Sequence, residues 1–113
     1  MNIKQTGQNA PILNHLILTN MKDYKIVVIE SGYVYLCLMK KEIHPILGVC
    51  LKGLDARNIR RWGTTKGLGQ LAILGKQPDT ILDYTGVVTI PINKINHIID
   101  VTEDSIKTLI NEE

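Results

Sequence analysis

Arg57, Arg60 and Arg61 fall within five residues of one another and stand directly before Trp62. They are all the arginines of the chain, and Trp62 is its one tryptophan. A guanidinium is a planar, permanently charged fork that grips phosphate or carboxylate through two parallel hydrogen bonds. An indole beside it can stack on a base or on an arginine. Downstream runs the glycine-rich stretch Gly63 to Gly69 (GTTKGLG), in which Thr64 and Thr65 offer hydroxyl donors and Lys66 a point charge. Glycines let backbone N–H groups approach a ligand, and a helix that follows aims its positive end at the same spot. The chemistry indicated is anion binding without covalent change. Arg57, Arg60, Arg61 and Lys66 are the candidate phosphate contacts, Thr64 and Thr65 the hydrogen-bond donors, and Trp62 or Tyr84 the stacking ring. The loop is not a GxxxxGK[ST] phosphate loop, because Lys66 precedes the glycine instead of following it. A plainer arrangement uses the same residues: a turn with an ordinary helix cap, Trp62 in the core, and the arginines paired with Asp55, Asp79 or Asp83.

The charge distribution supports a local anion site. Residues 52–76 hold Lys52, Arg57, Arg60, Arg61, Lys66 and Lys76 against Asp55, a net +5, in a chain whose total is +2. The remainder is therefore at −3, and the stretch from Asp100 to Glu113 has five acids and one lysine. A basic centre beside an acidic tail fits one anionic partner better than a general nucleic-acid coat.

Catalytic arrangements are poorly represented. Ser31 and Ser105 sit at a turn and a helix start, with no base placed to activate either. Asp79 and Asp83 are four apart across a turn and a strand, which suits solvated carboxylates. His15, His44 and His97 are far apart in sequence and form no ligand pair, so neither a metal nor another cofactor is expected. Cys37 and Cys50 lie in apolar runs without a CxxC spacing and read as reduced core thiols. The expectation is a binding protein and not an enzyme.

These residues need a scaffold, and strands dominate it. The chain has 113 residues, 44% of them hydrophobic, with 17 Ile, 13 Leu and 7 Val but no Phe. That length supports one domain, and branched aliphatics favour sheet. Tyr24–Glu30 and Tyr33–Met39 read as a hairpin about Ser31-Gly32. Ile46–Leu51 follows the break at His44-Pro45, and Gly53 starts a turn. Arg57–Trp62 fits a strand better than a helix. As a strand it places Arg57, Ile59 and Arg61 on one face and Asn58, Arg60 and Trp62 on the other. Gly63–Gly75 reads as a loop and then a helix, capped by Thr64 or Thr65, with Leu68, Leu71, Ala72 and Leu74 as its apolar stripe. Thr80–Tyr84 and Val87–Ile92 flank Thr85-Gly86 as a second hairpin. Ile95–Val101 is a last strand, and Thr102 caps a terminal helix that buries Ile106, Leu109 and Ile110. Residues 1–22 are expected to form an arm or short helix, and residues 23–113 a single domain. The expected fold class is α+β: a mainly antiparallel, partly barrel-like sheet of about six strands with two short helices. No apolar run reaches the ~18–20 residues of a membrane span, and Met1 to Asn9 lacks the layout of a signal peptide, so no membrane partner is expected.

The segments NIRRWGTTKGLGQLAILG (Asn58 to Gly75), TILDYTGVVTIP (Thr80 to Pro91) and HIIDV (His97 to Val101) carry a resemblance. They resemble a small bacteriophage-encoded family of unknown function with an RxWGTT-x-GLG core, an LA helix and a TVLD-x-x-G hairpin. The resemblance covers about residues 25–101. The chain departs from it at Gln70, where an acid is usual, and at Thr89, where a basic residue is common. The resemblance implies a compact β-rich fold and a phage or prophage origin; with the cysteines read as reduced thiols, the expected place of action is the host cytoplasm. Joined to the anion site, it gives an expected function: a homo-oligomeric, non-enzymatic protein that sequesters a phosphorylated nucleotide-like ligand, such as a signal of host immunity. The alternatives are a nucleic-acid-binding accessory protein, or an inhibitor or structural phage component that meets a host protein. Exposed Ile-rich sheet edges are the reason for expecting self-association.

Overall fold

The computed structural model describes residues 23–110; the expected arm over residues 1–22 lies outside the described residues, as do residues 111–113. Strand β1 (Tyr24–Ile29) turns at Ser31-Gly32 into β2 (Val34–His44), with the Gly32 amide donating to the Ile29 carbonyl at 2.9 Å. Next come β3 (Gly48–Arg61), helix α1 (Leu68–Leu74) and β4 (Ile81–Pro91). A single 3₁₀ turn (Ile92–Lys94) leads to β5 (Ile95–Asp100) and helix α2 (Glu103–Ile110). The strands form one antiparallel sheet in the order β4-β3-β2-β1-β5. The α+β class therefore holds, with five strands among the described residues.

Two expected breaks are absent. Gly53 lies within β3 and does not start a turn, so Ile46–Leu51 and Arg57–Trp62 are replaced by one strand of 14 residues. Thr85-Gly86 is not a hairpin turn either. β4 runs straight through it for 11 residues, and Gly86 (φ 86°) pairs with Ala56 at a bulge. Opposite it, Asp55 adopts φ 51°, the left-handed conformation that aspartate tolerates better than most residues. A tight two-residue hairpin turn and a glycine bulge both use a residue at positive φ, so the same dipeptide serves either.

The sheet has two unequal faces. On one, Tyr24, Ile26, Leu36 and Ile59 are sealed by Leu68, Leu71 and Ala72 of α1 and by Ile106 and Leu109 of α2. The helices hold each other: the Thr102 amide donates to the Ala72 carbonyl at 2.9 Å, and the Lys76 amide to Thr108 Oγ1 at 2.9 Å. Thr102 caps α2 as expected, its Oγ1 accepting from the Ser105 amide at 3.1 Å. Leu74, expected on the buried stripe of α1, is instead exposed, as is Ile73. A seven-residue helix has room for one buried stripe, and Leu68, Leu71 and Ala72 fill it.

The second face has no helix over it among the described residues. Its core of Val27, Cys37, Leu51, Ala56 and Ile90 is closed by the sheet curling on itself. β1 and β4 are separated in the sheet by β2 and β3, yet Ile29 and Glu30 share a cavity of about 220 Å³ with Val88 to Pro91. The curl is made possible at Gly53, where a Cβ would lie 2.9 Å from Cys37 Sγ and 3.0 Å from a Val88 methyl. Barrel character stops there, because β4 and β5 do not pair and the sheet stays open.

Beyond this core β2 and β3 continue as an arm. Their register runs from Met39↔Gly53 to His44↔Gly48, while β1 reaches only Leu38 and β4 only Cys50. His44 shapes the tip, its Nδ1 accepting from the amides of Ile46 at 3.0 Å and Leu47 at 3.1 Å.

Candidate functional site

The C-terminal half of β3 carries the arginines, and cross-strand register decides where each one points. Leu36, Arg57 and Tyr84 are successive partners across β2, β3 and β4, so Arg57 shares the helix-covered face with buried Leu36. Ile59 and Leu82 follow on the same face. Arg60 is then the extra residue of a bulge, since Ile59 pairs with Leu82 and Arg61 with the adjacent Ile81. The strand expected over Arg57–Trp62 is present as far as Arg61, but its simple alternation ends at Ile59. Arg60 and Arg61 both turn away from the helix-covered face, and Arg57 stands apart from them.

Arg57 is committed within the fold. Its Nη1 donates to the Asp55 carbonyl at 2.9 Å and to Asp55 Oδ2 at 3.0 Å, and its guanidinium lies 5.3 Å from the centroid of the Tyr84 ring. The same carboxylate accepts from the hydroxyl of buried Tyr24. Burial and the Asp55 carboxylate push the Tyr24 phenol far above its ordinary range, so it stays protonated as a donor. This network fixes the left-handed backbone at Asp55 and the bend in β3.

Arg60 is paired as well. Its Nε donates to Asp83 Oδ2 at 2.6 Å and its Nη2 to Asp83 Oδ1 at 3.3 Å, a bidentate fork. The hydrogen bond from Arg60 holds the Asp83 carboxyl below its usual range and raises Arg60 in turn. Both groups are solvent-exposed, so the pair is screened and its worth is small. The plainer arrangement, arginines against Asp55 and Asp83, thus describes two of the three. Arg61 is exposed and has no acid partner among the described residues.

The loop is held from behind and from within. The Trp62 carbonyl accepts from Thr80 Oγ1 at 2.7 Å. Gly63 (φ 70°) packs so closely on the Asp79–Thr80 peptide that a Cβ would overlap it. Its glycine is therefore required by chain packing, before any ligand is considered. Trp62 itself is 41% exposed, so the core role that a lone tryptophan can take falls to Tyr24 instead. Gln70 occupies the loop interior: its Oε1 accepts from the amides of Thr65 at 3.1 Å and Lys66 at 2.8 Å, and from Thr65 Oγ1 at 3.3 Å. Thr64 Oγ1 donates to the Gly67 carbonyl at 2.8 Å. Neither threonine caps α1; Gly67 stands at that position and makes no side-chain cap bond. The Lys66 side chain is exposed and unpaired among the described residues.

Of the eight candidates, the structure leaves Arg61, Trp62 and Lys66 outward and close in sequence. Thr64, Thr65, Arg57 and Arg60 are engaged by the fold, and exposed Tyr84 carries the Arg57 stack on the other face of the sheet. Arg60 lines a shallow groove of about 290 Å³ with Gly32, Tyr33, Val34, Asn58 and Ile59. The Tyr33 ring centroid is 6.2 Å from that of Tyr35, which lines the cavity between β1 and β4. Sequence reasoning passed over these two tyrosines and the arm. The arm's signal was apolar residues at a turn, Ile43, Ile46, Leu47 and Val49, where polar ones are the rule.

Cys37 and Cys50 are buried free thiols, as expected, and burial pushes Cys37 up to about 11. His97 is an exposed residue of edge strand β5 with Nδ1 2.6 Å from Asn96 Oδ1. No cluster of three or more potential metal ligands occurs among the described residues, and no helix there is long and apolar enough to cross a membrane. Comparison with protein-family models and with curated proteins returns no match.

Proposed function

We propose that the chain is a phage-encoded, non-enzymatic binding protein that acts in the host cytoplasm by sequestering a phosphorylated, nucleotide-like ligand. The observation that carries this reading is that Arg61 and Lys66, two cations without an intramolecular acid among the described residues, stand on either side of half-exposed Trp62 in the sequence. Phosphate oxygens meet the two cations, and a base stacks on the indole. Arg57 and Arg60 serve as scaffold, because each is already satisfied by a carboxylate. The phage origin rests on the resemblance described above.

The sole tryptophan gives a direct test. Its fluorescence is titrated with cyclic dinucleotides, cyclic trinucleotides and ADP-ribose derivatives. Saturable quenching at micromolar ligand is expected, lost in Arg61→Ala and Lys66→Ala and retained in Arg60→Ala. Absence of quenching across the panel, or quenching indifferent to Arg61→Ala, overturns the reading.

A second reading has its own observation. Tyr33, Tyr35 and Asn58 lie on the helix-free face, to which Arg60 and Arg61 also turn, and Tyr33 is 57% exposed. Exposed rings interleaved with arginines on a sheet face suit stacked bases of a single strand. Here the ligand is an oligonucleotide, and affinity falls steeply between 50 and 200 mM salt in a way a single nucleotide does not show. Tyr33→Ala separates the two: it weakens an oligonucleotide and leaves a nucleotide bound at Trp62 untouched.

A further inference from the structure

We infer that the β2–β3 arm is the docking surface for a second copy of this chain. Ile43 and Val49 are direct cross-strand partners and therefore lie on one face. Lys41 and Leu51, two residues inward, pair on that same face, and Leu51 belongs to the helix-free core. One apolar row thus starts inside the protein at Leu51, 6% exposed, and runs outward to Val49, 42% exposed, and Ile43, 77% exposed. Ile46 and Leu47 extend it over the tip at 85% and 48% exposed. Ile92, 49% exposed, borders it just beyond the Cys50–Pro91 pair.

Two arguments make the occupant a second copy. The first is conformational. From Ile43 to Val49 the arm is a bare two-stranded ribbon, and such a ribbon is at best marginally stable in water without something packed on it. The second is area. The five exposed aliphatic side chains present roughly 500 Å² of apolar surface, at the upper end of what a monomer shows. Paired with themselves about a two-fold axis they remove on the order of 1,000 Å², the lower bound for a specific interface. Outward of Lys41, which marks its inner border, the patch is apolar and so suits that symmetry: the arm's Glu42–Lys52 ion pair, at 3.2 Å, lies on the opposite face. Edge-to-edge pairing along β2 is disfavoured by exposed Lys40 and Lys41. The two arms therefore pack face to face, with Ile43 and Val49 of one copy against those of its partner.

The full chain is examined by light scattering after size exclusion, from about 1 to 100 μM. The expected mass is twice that of the chain at the upper concentrations. Ile43→Lys and Val49→Lys, both outside the buried core, are expected to return the monomer mass with an unchanged far-ultraviolet spectrum and to weaken association at least 100-fold. As a second readout, Ile43→Cys under mild oxidation is expected to give a disulfide-linked dimer, because Cys37 and Cys50 are buried. A monomer at 100 μM overturns the proposal, whether the arm is then found on lipid vesicles, on a host protein or under residues 12–21 of its own chain. A dimer that survives Ile43→Lys with Val49→Lys overturns it equally.

Discussion

The two faces of the sheet are made from the same strands and the same aliphatic residues, yet they end differently. On the helix-covered face, α1 and α2 close over Ile26, Leu36 and Ile59, and buried side chains continue to the helix-bearing end of the molecule. On the other, Val27, Cys37, Leu51 and Ile90 are covered only by the curl of the sheet, and the apolar row outruns its cover at Val49. A helix brings its own second layer, whereas a curled sheet seals only as far as its bulges bend it. The face closed by the helices carries the scaffold arginine Arg57, and the helix-free face carries exposed Arg61 and the aliphatic row of the arm.

The sharpest way to break this contrast is to hollow each face in turn. Leu36→Ala, at a fully buried position under the helices, is expected to cost about 3–4 kcal/mol in urea denaturation. Leu51→Ala, at the margin of the second core, is expected to cost about 2 kcal/mol. Equal losses would mean that the helix-free face is as well packed as the other. Gly53→Ala tests the curl itself. An added methyl meets Cys37 and Val88 at about 3 Å, so a loss of about 1–3 kcal/mol is expected, read as a lower urea midpoint. No loss would place the bend elsewhere than Gly53.

Smaller effects probe the polar devices of each face. Tyr24→Phe removes the buried hydroxyl from Asp55 and leaves the Arg57 pair, with an expected loss of about 1–2 kcal/mol. The smallest effect belongs to the exposed Arg60–Asp83 pair. Because the Asp83 carboxyl titrates below its unfolded value, its contribution is present at neutral pH and is lost as pH falls below about 4. Asp83→Asn is expected to flatten the stability profile in that window only. Once acid has protonated the carboxyl in both states, the same substitution leaves stability unchanged, and a drop there would assign Asp83 a packing role.

What was legible in the sequence divides along the same line. The first hairpin, the Thr102-capped helix and the strand through Arg57 were readable because each depends on local signals: a Ser-Gly turn, a cap with acids behind it, alternation ending at glycine. The continuity of β3 and β4 was not, since a strand's length is set by the neighbour it pairs with. Gly53 and Gly86 read locally as turns for that reason. In the candidate site, the concentration of positive charge was legible, and so were Asp55 and Asp83 as candidate partners, but not which arginine each would hold. Asp83 reaches Arg60 only through cross-strand register and a bulge that places Arg60 out of sequence, and Asp55 reaches Arg57, two residues on in the same strand, across its own left-handed backbone. The hold of Gln70 on the loop amides depends on a side-chain rotamer that no residue pattern announces.

The bulge at Gly86 has a consequence for polymerisation. An open antiparallel sheet with an 11-residue outer strand offers a template on which further strands can add without limit. β4 spoils that template twice: the bulge breaks its hydrogen-bond repeat midway, and Pro91 ends it with a residue that has no amide to donate. At the other edge β5 is only six residues long and ends on Asp100, whose charge is held by Lys25 at 3.3 Å. Growth by strand addition is thus blocked or short at both margins. The two-fold contact proposed for the arm differs in kind, because it uses up its own surface and stops at two.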